Sequence, residues 1–313
     1  ALVEPLTRAL AHLRDDRAGP PDLLVHVWDS SSTGVPLSPL LRALVDSLHA
    51  SPFSLLTPRH EIAALSGDRV GATYELGSRV LTLFDREARE AIYWMPDVEE
   101  LPYYERGAPF RTVLHWWLAP HGVHLVHAAA VGTPDGVVLL TGKGGSGKST
   151  TALASLATSL QYVSDDYCAF SGGEQPQVLS IYNTGKLRDD EDLARQPHLA
   201  PWVVNTDRAG EQKYLMYLAE HVPERLLHRA PLRAIVLPRV AGVDQPRLER
   251  VSPAATLRAL APTSMFQLPG GESEAFSRMA DLARRVPCFR LDCSPDLMAT
   301  AGAVEDLVHE LTG

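Results

Sequence analysis

Cysteine is scarce in this chain. Its 313 residues include only Cys168, Cys288 and Cys293. An odd count at wide spacing provides neither a disulfide framework nor the paired spacing of a zinc site. We therefore expect unpaired, mostly buried cysteines and a cytoplasmic location, where thiols stay reduced.

Long apolar runs are also missing. No uninterrupted apolar segment approaches the roughly 18 to 20 residues that span a bilayer. Residues 1–17 carry charges throughout and lack the apolar core of a signal peptide. The sequence therefore predicts no membrane association.

An excess of positive charge is absent as well. Lys plus Arg number 29 and Asp plus Glu number 38, which gives a formal net charge of −9. Nucleic-acid binding depends on neutralising phosphates, so this balance argues against a nucleic-acid partner. With 45% apolar and 21% charged residues, the chain is predicted to be globular, with one or two domains.

The pattern of predicted elements changes about one third of the way along. Residues 1–110 contain a short apolar strand at LLVHVWD, a helical pattern over 39–50 and paired strands between 72 and 94. They predict a small α+β domain. Residues 111–313 open with a helix at RTVLHWWL and then interleave strands and helices, which is typical of an α/β architecture with a mixed sheet. Helices are predicted over 148–160, 253–260, 274–285 and 295–311.

A glycine-rich segment carries the strongest signal. GKGGSGKS, residues 142–149, matches G-x-x-x-x-G-K-[ST], with an apolar strand before it and a helical pattern after it. Glycines let backbone N–H groups face phosphate oxygens, and a helix N-terminus adds partial positive charge. The residues predicted to bind ATP are Gly142, Lys143, Gly144, Gly145, Ser146, Gly147, Lys148, Ser149 and Thr150. Lys148 would reach the β- and γ-phosphates, and Ser149 would ligate Mg²⁺.

Two adjacent carboxylates, Asp165 and Asp166, follow the apolar stretch 161–163. A carboxylate at the end of a strand beside a phosphate-binding loop is the usual second Mg²⁺ anchor. Neighbours on an extended segment face opposite ways, so one carboxylate can face the metal and the other an acceptor hydroxyl. A helix cap or a turn is the alternative interpretation of the pair.

Three histidines, His121, His124 and His127, recur at steps of three in HGVHLVH. The segment from Val123 predicts a strand, on which His124 and His127 would face opposite sides, so we expect no convergent metal site. His127 begins the small-residue run HAAAV. It is interpreted either as an active-site residue or as a buried structural histidine.

The set HAAAVG, LLTGKGGSGKSTTALASL and YVSDDY resembles the catalytic domain of HPr kinase/phosphorylase. It is most similar to the HPr kinase-like proteins found beside biosynthetic operons, including those of lasso peptides. The spacings fit, with 15 residues from His127 to Gly142 and 23 from Gly142 to Asp165. PFRTVLHWWL, APLRAIVLPRV, APTSMFQLPG and VPCFRLD extend the similarity over roughly residues 105–312.

This resemblance implies a P-loop domain of the phosphoenolpyruvate-carboxykinase-like type and phosphoryl transfer from ATP to a hydroxyl. It implies that Asp165 helps to hold Mg²⁺, that Asp166 is the general base toward an acceptor Ser, and that His127 lies in the active site. The chain departs from the bifunctional enzymes in having LSIYNTGKLRDD where they carry an E-I-R-G-L-G-type signature with a metal-binding Glu. Asn183 or Lys186 is expected in that neighbourhood, and the reverse, dephosphorylating reaction and HPr as substrate are not expected.

The function expected from the sequence is therefore an ATP- and Mg²⁺-dependent kinase that phosphorylates a hydroxyl, with Ser of a peptide or biosynthetic intermediate favoured. The alternatives are a kinase of an amino acid or sugar, and a regulatory ATPase switch without an acceptor. The first 110 residues would bind the acceptor or regulate the enzyme, and a homo-oligomer is compatible with the sequence. Lys213, in GEQKYLMYL, resembles a lysine that recurs in the operon-type proteins, with a solvated surface lysine as the alternative.

Overall fold

The computed structural model describes residues 3–16, 19–207, 212–265 and 267–313. Residue 266, in the segment APTSMFQLPG, and residues 1, 2 and 17 of the charged start lie outside the described residues. The chain forms two compact units. The first consists mainly of Asp15–His121, and the main body of the second begins at Gly122, whereas the sequence analysis placed the domain boundary at residue 110.

The first unit is built on a four-stranded sheet in the order β1-β4-β3-β2. β1 runs parallel to β4, and the other two pairings are antiparallel. Its elements are α1 (Val3–Thr7), β1 (Leu24–Asp29), α2 (Ser30–Thr33), α3 (Pro39–Ala50), α4 (Pro52–Leu55), β2 (Val70–Glu75), β3 (Val80–Asp85), β4 (Glu90–Met95), α5 (Tyr103–Arg106) and α6 (Arg111–Leu118). The first unit thus contains both helices and a mixed sheet.

Helix α3 shows how the sequence forms these elements. The Ser38 side chain accepts a hydrogen bond from the backbone N–H of Leu41, and Pro39 occupies the first helical turn, where its missing N–H costs nothing. Val45 and Leu48 are buried on the inner face of the helix. They belong to an apolar cluster that includes Trp94 of the sheet, so burial of this stripe holds α3 in place.

The second unit contains a nine-stranded mixed sheet with helices on both faces. Its elements are β5 (Val123–Val126), β6 (Ala129–Thr133), β7 (Gly136–Leu140), α7 (Lys148–Ala154), β8 (Gln161–Ser164), β9 (Cys168–Ser171), β10 (Gln177–Leu179), β11 (Thr184–Leu187), α8 (Asp190–Ala194), β12 (Tyr214–Tyr217), β13 (Arg229–Val240), β14 (Arg247–Arg250), α9 (Pro253–Met265), α10 (Glu272–Arg285), β15 (Cys288–Cys293) and α11 (Leu297–Thr312). Short 3₁₀ helices of this unit cover Ser155–Ala157, Pro197–Trp202, Leu218–Glu220 and Pro223–Arg225; Ala119–His121 is a 3₁₀ helix of the first unit, and Arg8–Leu13 belongs to the second unit from Ala9 onward.

Seven of the strands follow the order β5-β9-β10-β13-β7-β6-β8, and β14 and β15 extend the sheet beside β13. β7 is parallel to β13 and antiparallel to β6. Because side chains alternate along a strand, Val138 and Leu140 of β7 pack with residues of α7 and α11, whereas Val137 and Leu139 pack with residues of α9 and α10. The fold is thus mixed α/β with mixed sheets, and β7 is buried on both faces.

Several predicted elements need correction. The single strand predicted over VHLVHAAAV is two strands, β5 and β6, which pair with different neighbours and are separated at His127 and Ala128. The helix predicted over 148–160 ends at Ala154 and continues as a 3₁₀ turn. Pro238 lies inside β13, two residues before the end of the strand. Since the pairing with β7 ends at Val236, the missing N–H of Pro238 removes no bond on that side.

Among the residues that the structure describes, no helix is long and apolar enough to cross a membrane.

Candidate active site

The glycine-rich loop, residues 141–147, connects the end of β7 to the start of α7. Gly142, Gly145 and Gly147 have φ angles of 146°, 75° and 103°, which side-chain-bearing residues rarely adopt. Gly147 lies directly before the first helical residue, Lys148. The strand, loop and helix therefore follow one another as the sequence predicts, and the glycines are required by the path of the backbone.

Lys148 folds back over this loop. Its Nζ donates to the carbonyl oxygens of Gly142 at 2.7 Å and Lys143 at 3.3 Å, and the residue is only 6% exposed. Burial lowers the pKa of Lys148, against the opposing effect of Asp165 and Asp166. The lysine thus holds an ammonium group at the inner side of the loop.

Polar atoms around the loop lack partners within the described part of the chain. Thr141 Oγ1 and Ser146 Oγ are buried and make no hydrogen bond there. In contrast, Lys143, Gly144 and Gly145 are exposed, and Ser149 and Thr150 are half-buried. Buried polar atoms normally have a partner, so these two hydroxyls point to a ligand or water beside the loop.

Asp165 lies next to the first turn of α7. It follows β8, which pairs with β6 and so stands two strands from β7. Ser149 Oγ donates to Asp165 Oδ1 at 3.0 Å, whereas the buried Oδ2 atom is among those without a hydrogen-bond partner. Burial raises the pKa of Asp165, and Asp166 raises it further.

A divalent cation with oxygen ligands fits this arrangement. Mg²⁺ binds through one or two protein oxygens and completes its shell with phosphate oxygens and water, so Ser149 Oγ and Asp165 Oδ2 suffice from the protein side. Within the described ranges, no cluster of three or more His, Cys, Asp or Glu side chains could hold a metal ion by itself. The donor set therefore suits a metal that arrives with phosphates.

Asp166 does not lie on an extended segment, as the sequence analysis assumed. Its φ is 68°, the left-handed region, so the chain turns sharply directly after Asp165. Its Oδ1 lies 3.0 Å from His127 Nε2, and its Oδ2 accepts from Lys186 Nζ at 2.6 Å. The two carboxylates do contact different partners, but a turn rather than strand alternation separates them.

Ion pairing dominates the chemistry of Asp166. Burial alone would raise its pKa, but Lys186 and His127 more than offset burial and hold the pKa of Asp166 well below its usual range. Asp166 is therefore a carboxylate at neutral pH. Its four lone-pair positions leave room for a further hydrogen-bond donor.

His127 occupies the break between β5 and β6. Its backbone N–H donates to Ser264 Oγ of α9 at 3.0 Å, which orients the residue, and its ring contacts Asp166. His124 lies in β5 against the ring of Phe170, with centroids 5.6 Å apart, and makes no part of this site. His121 hydrogen-bonds the Trp117 carbonyl oxygen within the first unit.

Lys186 was one of two residues that the sequence analysis expected near the position of the metal-binding Glu, without a role for either. It lies on β11, which pairs with β12 in a separate two-stranded sheet, and it is 2% exposed. Asn183, the other candidate for that neighbourhood, instead binds the backbone, since its side-chain amide donates to the Ala9 carbonyl oxygen at 2.9 Å. Lys186 therefore belongs to the acidic pair, and Asn183 anchors an N-terminal segment.

Lys213 lies directly before β12 and is half-buried. The pKa of Asp166 is affected most by burial, then by Lys186 and His127, and then by Lys213, which lowers it. Lys213 also lowers the pKa of Lys148. The structure thus places Lys213 near the site.

Lysine usage is a signal that could have revealed Lys186 and Lys213. The sequence has four lysines, Lys143, Lys148, Lys186 and Lys213, against 25 arginines. Arginine serves the surface ion pairs, whereas the lysines occur in the glycine-rich loop and its surroundings. A compact ammonium behaves differently from a planar guanidinium, so such a restricted distribution indicates a chemical requirement.

No protein-family model matches the chain, and no curated protein matches it. Among solved structures, 96 chains match, including the HPr(Ser) kinase/phosphatase from Coxiella burnetii. That structure is 10% identical, has a TM-score of 0.33, and the match covers 60% of this chain and 95% of the other. These values describe a distant fold similarity, and no function is transferred from it.

Proposed function

We propose that this protein is an ATP- and Mg²⁺-dependent kinase that transfers the γ-phosphoryl group to a hydroxyl, with Ser of a peptide or biosynthetic intermediate favoured. The glycine-rich loop with its buried lysine supports nucleotide binding. The antiparallel β6 beside the loop strand β7 supports a mixed-sheet P-loop domain of the phosphoenolpyruvate-carboxykinase-like type.

The charge of the site favours an anionic ligand. Lys148, Lys186 and Lys213 lie around Asp165 and Asp166, so lysines outnumber carboxylates by three to two before any metal binds. Because such charges are partly buried, they attract a polyphosphate more strongly than surface charges would. ATP with Mg²⁺ satisfies both the lysines and the unpartnered oxygen of Asp165.

Each side chain then has a distinct part. Lys148 would leave its loop carbonyls to bind the β- and γ-phosphate oxygens, and Ser149 and Asp165 would hold Mg²⁺, which neutralises phosphate charge when bound. Asp166 would accept the hydrogen bond, and finally the proton, of the acceptor hydroxyl. His127 would orient Asp166. Positioning and charge stabilisation supply most of the catalysis in phosphoryl transfer, so even a weakly basic carboxylate suffices.

One observation carries the choice of a kinase over a regulatory ATPase. The Asp165 side chain accepts a hydrogen bond from Ser149, whereas the Asp166 side chain hydrogen-bonds His127 and Lys186. A slow regulatory switch can hydrolyse ATP with the metal-binding carboxylate and a positioned water, whereas transfer to a hydroxyl calls for a carboxylate held where it can receive the acceptor proton. The second carboxylate is best explained as the residue that receives an acceptor hydroxyl.

The test begins with ATP binding, measured by calorimetry with Mg²⁺ for the wild type and Lys148→Ala. ADP formation is then measured with Ser-containing peptides, with free amino acids and sugars, and with no acceptor. Arg284→Ala, an exposed residue of α10, is the matched control for loss of one positive charge. Peptide-dependent ADP with phosphopeptide supports the proposal. ADP formation that no acceptor changes would favour the switch, and absence of ATP binding would exclude both.

A further inference from the structure

Lys186 is held rigidly relative to both the glycine-rich loop and the acidic pair. Tyr162 of β8, the strand that leads to Asp165, donates its hydroxyl to the Thr184 carbonyl oxygen of β11 at 2.8 Å. Gly185 approaches α7 so closely that an added Cβ would lie 2.7 Å from Leu153 Cδ2. The strand carrying Lys186 is therefore packed against the two elements that supply the proposed metal ligands.

Asp166 is fixed at three points. Its backbone has the left-handed φ of 68°, its Oδ1 lies 3.0 Å from His127 Nε2, and its Oδ2 lies 2.6 Å from Lys186 Nζ. A non-glycine residue in this conformation is strained, so surrounding contacts must maintain it. Of the two side chains, Lys186 lies closer to the carboxylate.

We infer that Lys186 is a positioning residue that divides the acidic pair, holding the Asp166 carboxylate on the acceptor side and out of the metal's coordination shell. The inference rests on the proposed function only in taking Asp165 as a metal ligand. Two adjacent carboxylates beside a divalent cation would otherwise both be drawn to it, because Mg²⁺ prefers carboxylate oxygens. An ammonium at 2.6 Å competes directly with the metal for Asp166.

The test is a double-mutant cycle on metal affinity. Mn²⁺ alone, without nucleotide, is titrated into the wild type, Lys186→Met, Asp166→Asn and the double variant, and free Mn²⁺ is read by its paramagnetic resonance signal. We expect Lys186→Met to tighten Mn²⁺ binding by roughly tenfold or more, the size of effect that a neighbour of a metal ligand commonly has. Asp166→Asn should bind Mn²⁺ much as the wild type does, and the double variant should match Asp166→Asn.

The cycle separates a specific role from a general effect of charge. If removing Lys186 tightens Mn²⁺ binding equally with and without Asp166, the lysine acts only through its field and the inference is wrong. Unchanged Mn²⁺ affinity in Lys186→Met also overturns it. Arg284→Met is the control for the loss of one distant positive charge. If circular dichroism shows that Lys186→Met is unfolded, the titration is repeated with Lys186→Gln.

A second measurement uses the wild-type protein. Selective ¹⁵N-lysine labelling yields side-chain signals from only four lysines, and Asp166→Asn identifies that of Lys186 by its shift. On addition of saturating Mg²⁺, the chemical shift of the Lys186 signal should stay at the value that it has in the metal-free wild type, where Lys186 is paired with Asp166. A shift to the Asp166→Asn position would mean that Asp166 has moved to the metal, which refutes the inference. Wild-type ATP binding decides the proposed function separately, so either idea can fail alone.

Discussion

Replacing each aspartate of the acidic pair by asparagine should produce two different defects. Asp165→Asn keeps an oxygen for the Ser149 hydroxyl but removes the charge that Mg²⁺ requires. Because Asp165 is 1% exposed and burial raises the pKa of its carboxyl, removing this charge should leave the free energy of unfolding unchanged or increase it. ATP binding should lose its dependence on Mg²⁺, and all ATP chemistry should fall.

Asp166→Asn should instead spare Mg²⁺-ATP binding and damage both transfer and stability. Loss of a general base typically lowers the rate by about 10² to 10⁴. The variant also leaves Lys186, which is 2% exposed, without its carboxylate partner. Removing one member of a buried ion pair costs roughly 3 to 5 kcal/mol, and the lower end applies here since Asp166 is 19% exposed.

The assays are ATP calorimetry at several Mg²⁺ concentrations, urea unfolding, and ADP and phosphoproduct formation with the acceptor found by the peptide screen. Lys186→Met combined with Asp166→Asn is the stability control, since it removes both charges and should recover most of the lost stability. Equal loss of ATP binding in the two single variants would show that the pair is a shared metal site. Unimpaired transfer in both would reduce the pair to a structural turn and favour the regulatory switch.

Three further predictions concern the loop, the reverse reaction and pH. Lys148→Ala should lower ADP formation by roughly 10² or more while preserving the circular dichroism spectrum, because a preorganised charge is lost; near wild-type turnover would contradict the loop's assigned role. The chain has LSIYNTGKLRDD in place of the E-I-R-G-L-G-type signature, so mixing phosphorylated product, inorganic phosphate and enzyme should yield no pyrophosphate. Burial, then His228, lowers the pKa of His12 from 6.5 to about 4, so the unfolded chain binds this proton more readily. The free energy of unfolding should therefore fall by up to about 3 kcal/mol as pH drops from about 6.5 to 4, and His12→Gln should flatten that part of the profile in urea titrations.

The sequence predicted the parts of the site that lie close together along the chain. The strand, glycine-rich loop and helix are local, because backbone conformation at Gly142, Gly145 and Gly147 and the apolar pattern of β7 determine them. Apolar patterns with the period of a strand or of a helix were therefore enough to predict the elements that are buried on both sides.

The parts that failed depend on contacts distant in sequence. The break at His127 was invisible because HAAAV has the composition of a continuous strand, yet β5 pairs with β9 and β6 with β7. The turn at Asp166 was only the alternative interpretation of the acidic pair, because no glycine marks it. The position of Lys186 beside Asp166 depends on the pairing of β11 with β12 and on the contacts of β11 with Tyr162 and α7, which residue spacing does not encode.

These failures share a physical cause. A left-handed aspartate and a buried lysine are each unfavourable alone, by strain in the first case and desolvation in the second. Their 2.6 Å ion pair offsets both costs, so each residue is tolerated because the other is present. The intrinsic preferences of the two residues would place neither in its observed position, so predictions from neighbouring residues alone do not find them. Such mutually dependent pairs are concentrated at functional sites. The same coupling means that altering Asp166 or Lys186 singly should cost more stability than altering both, whereas two independent residues would show additive losses.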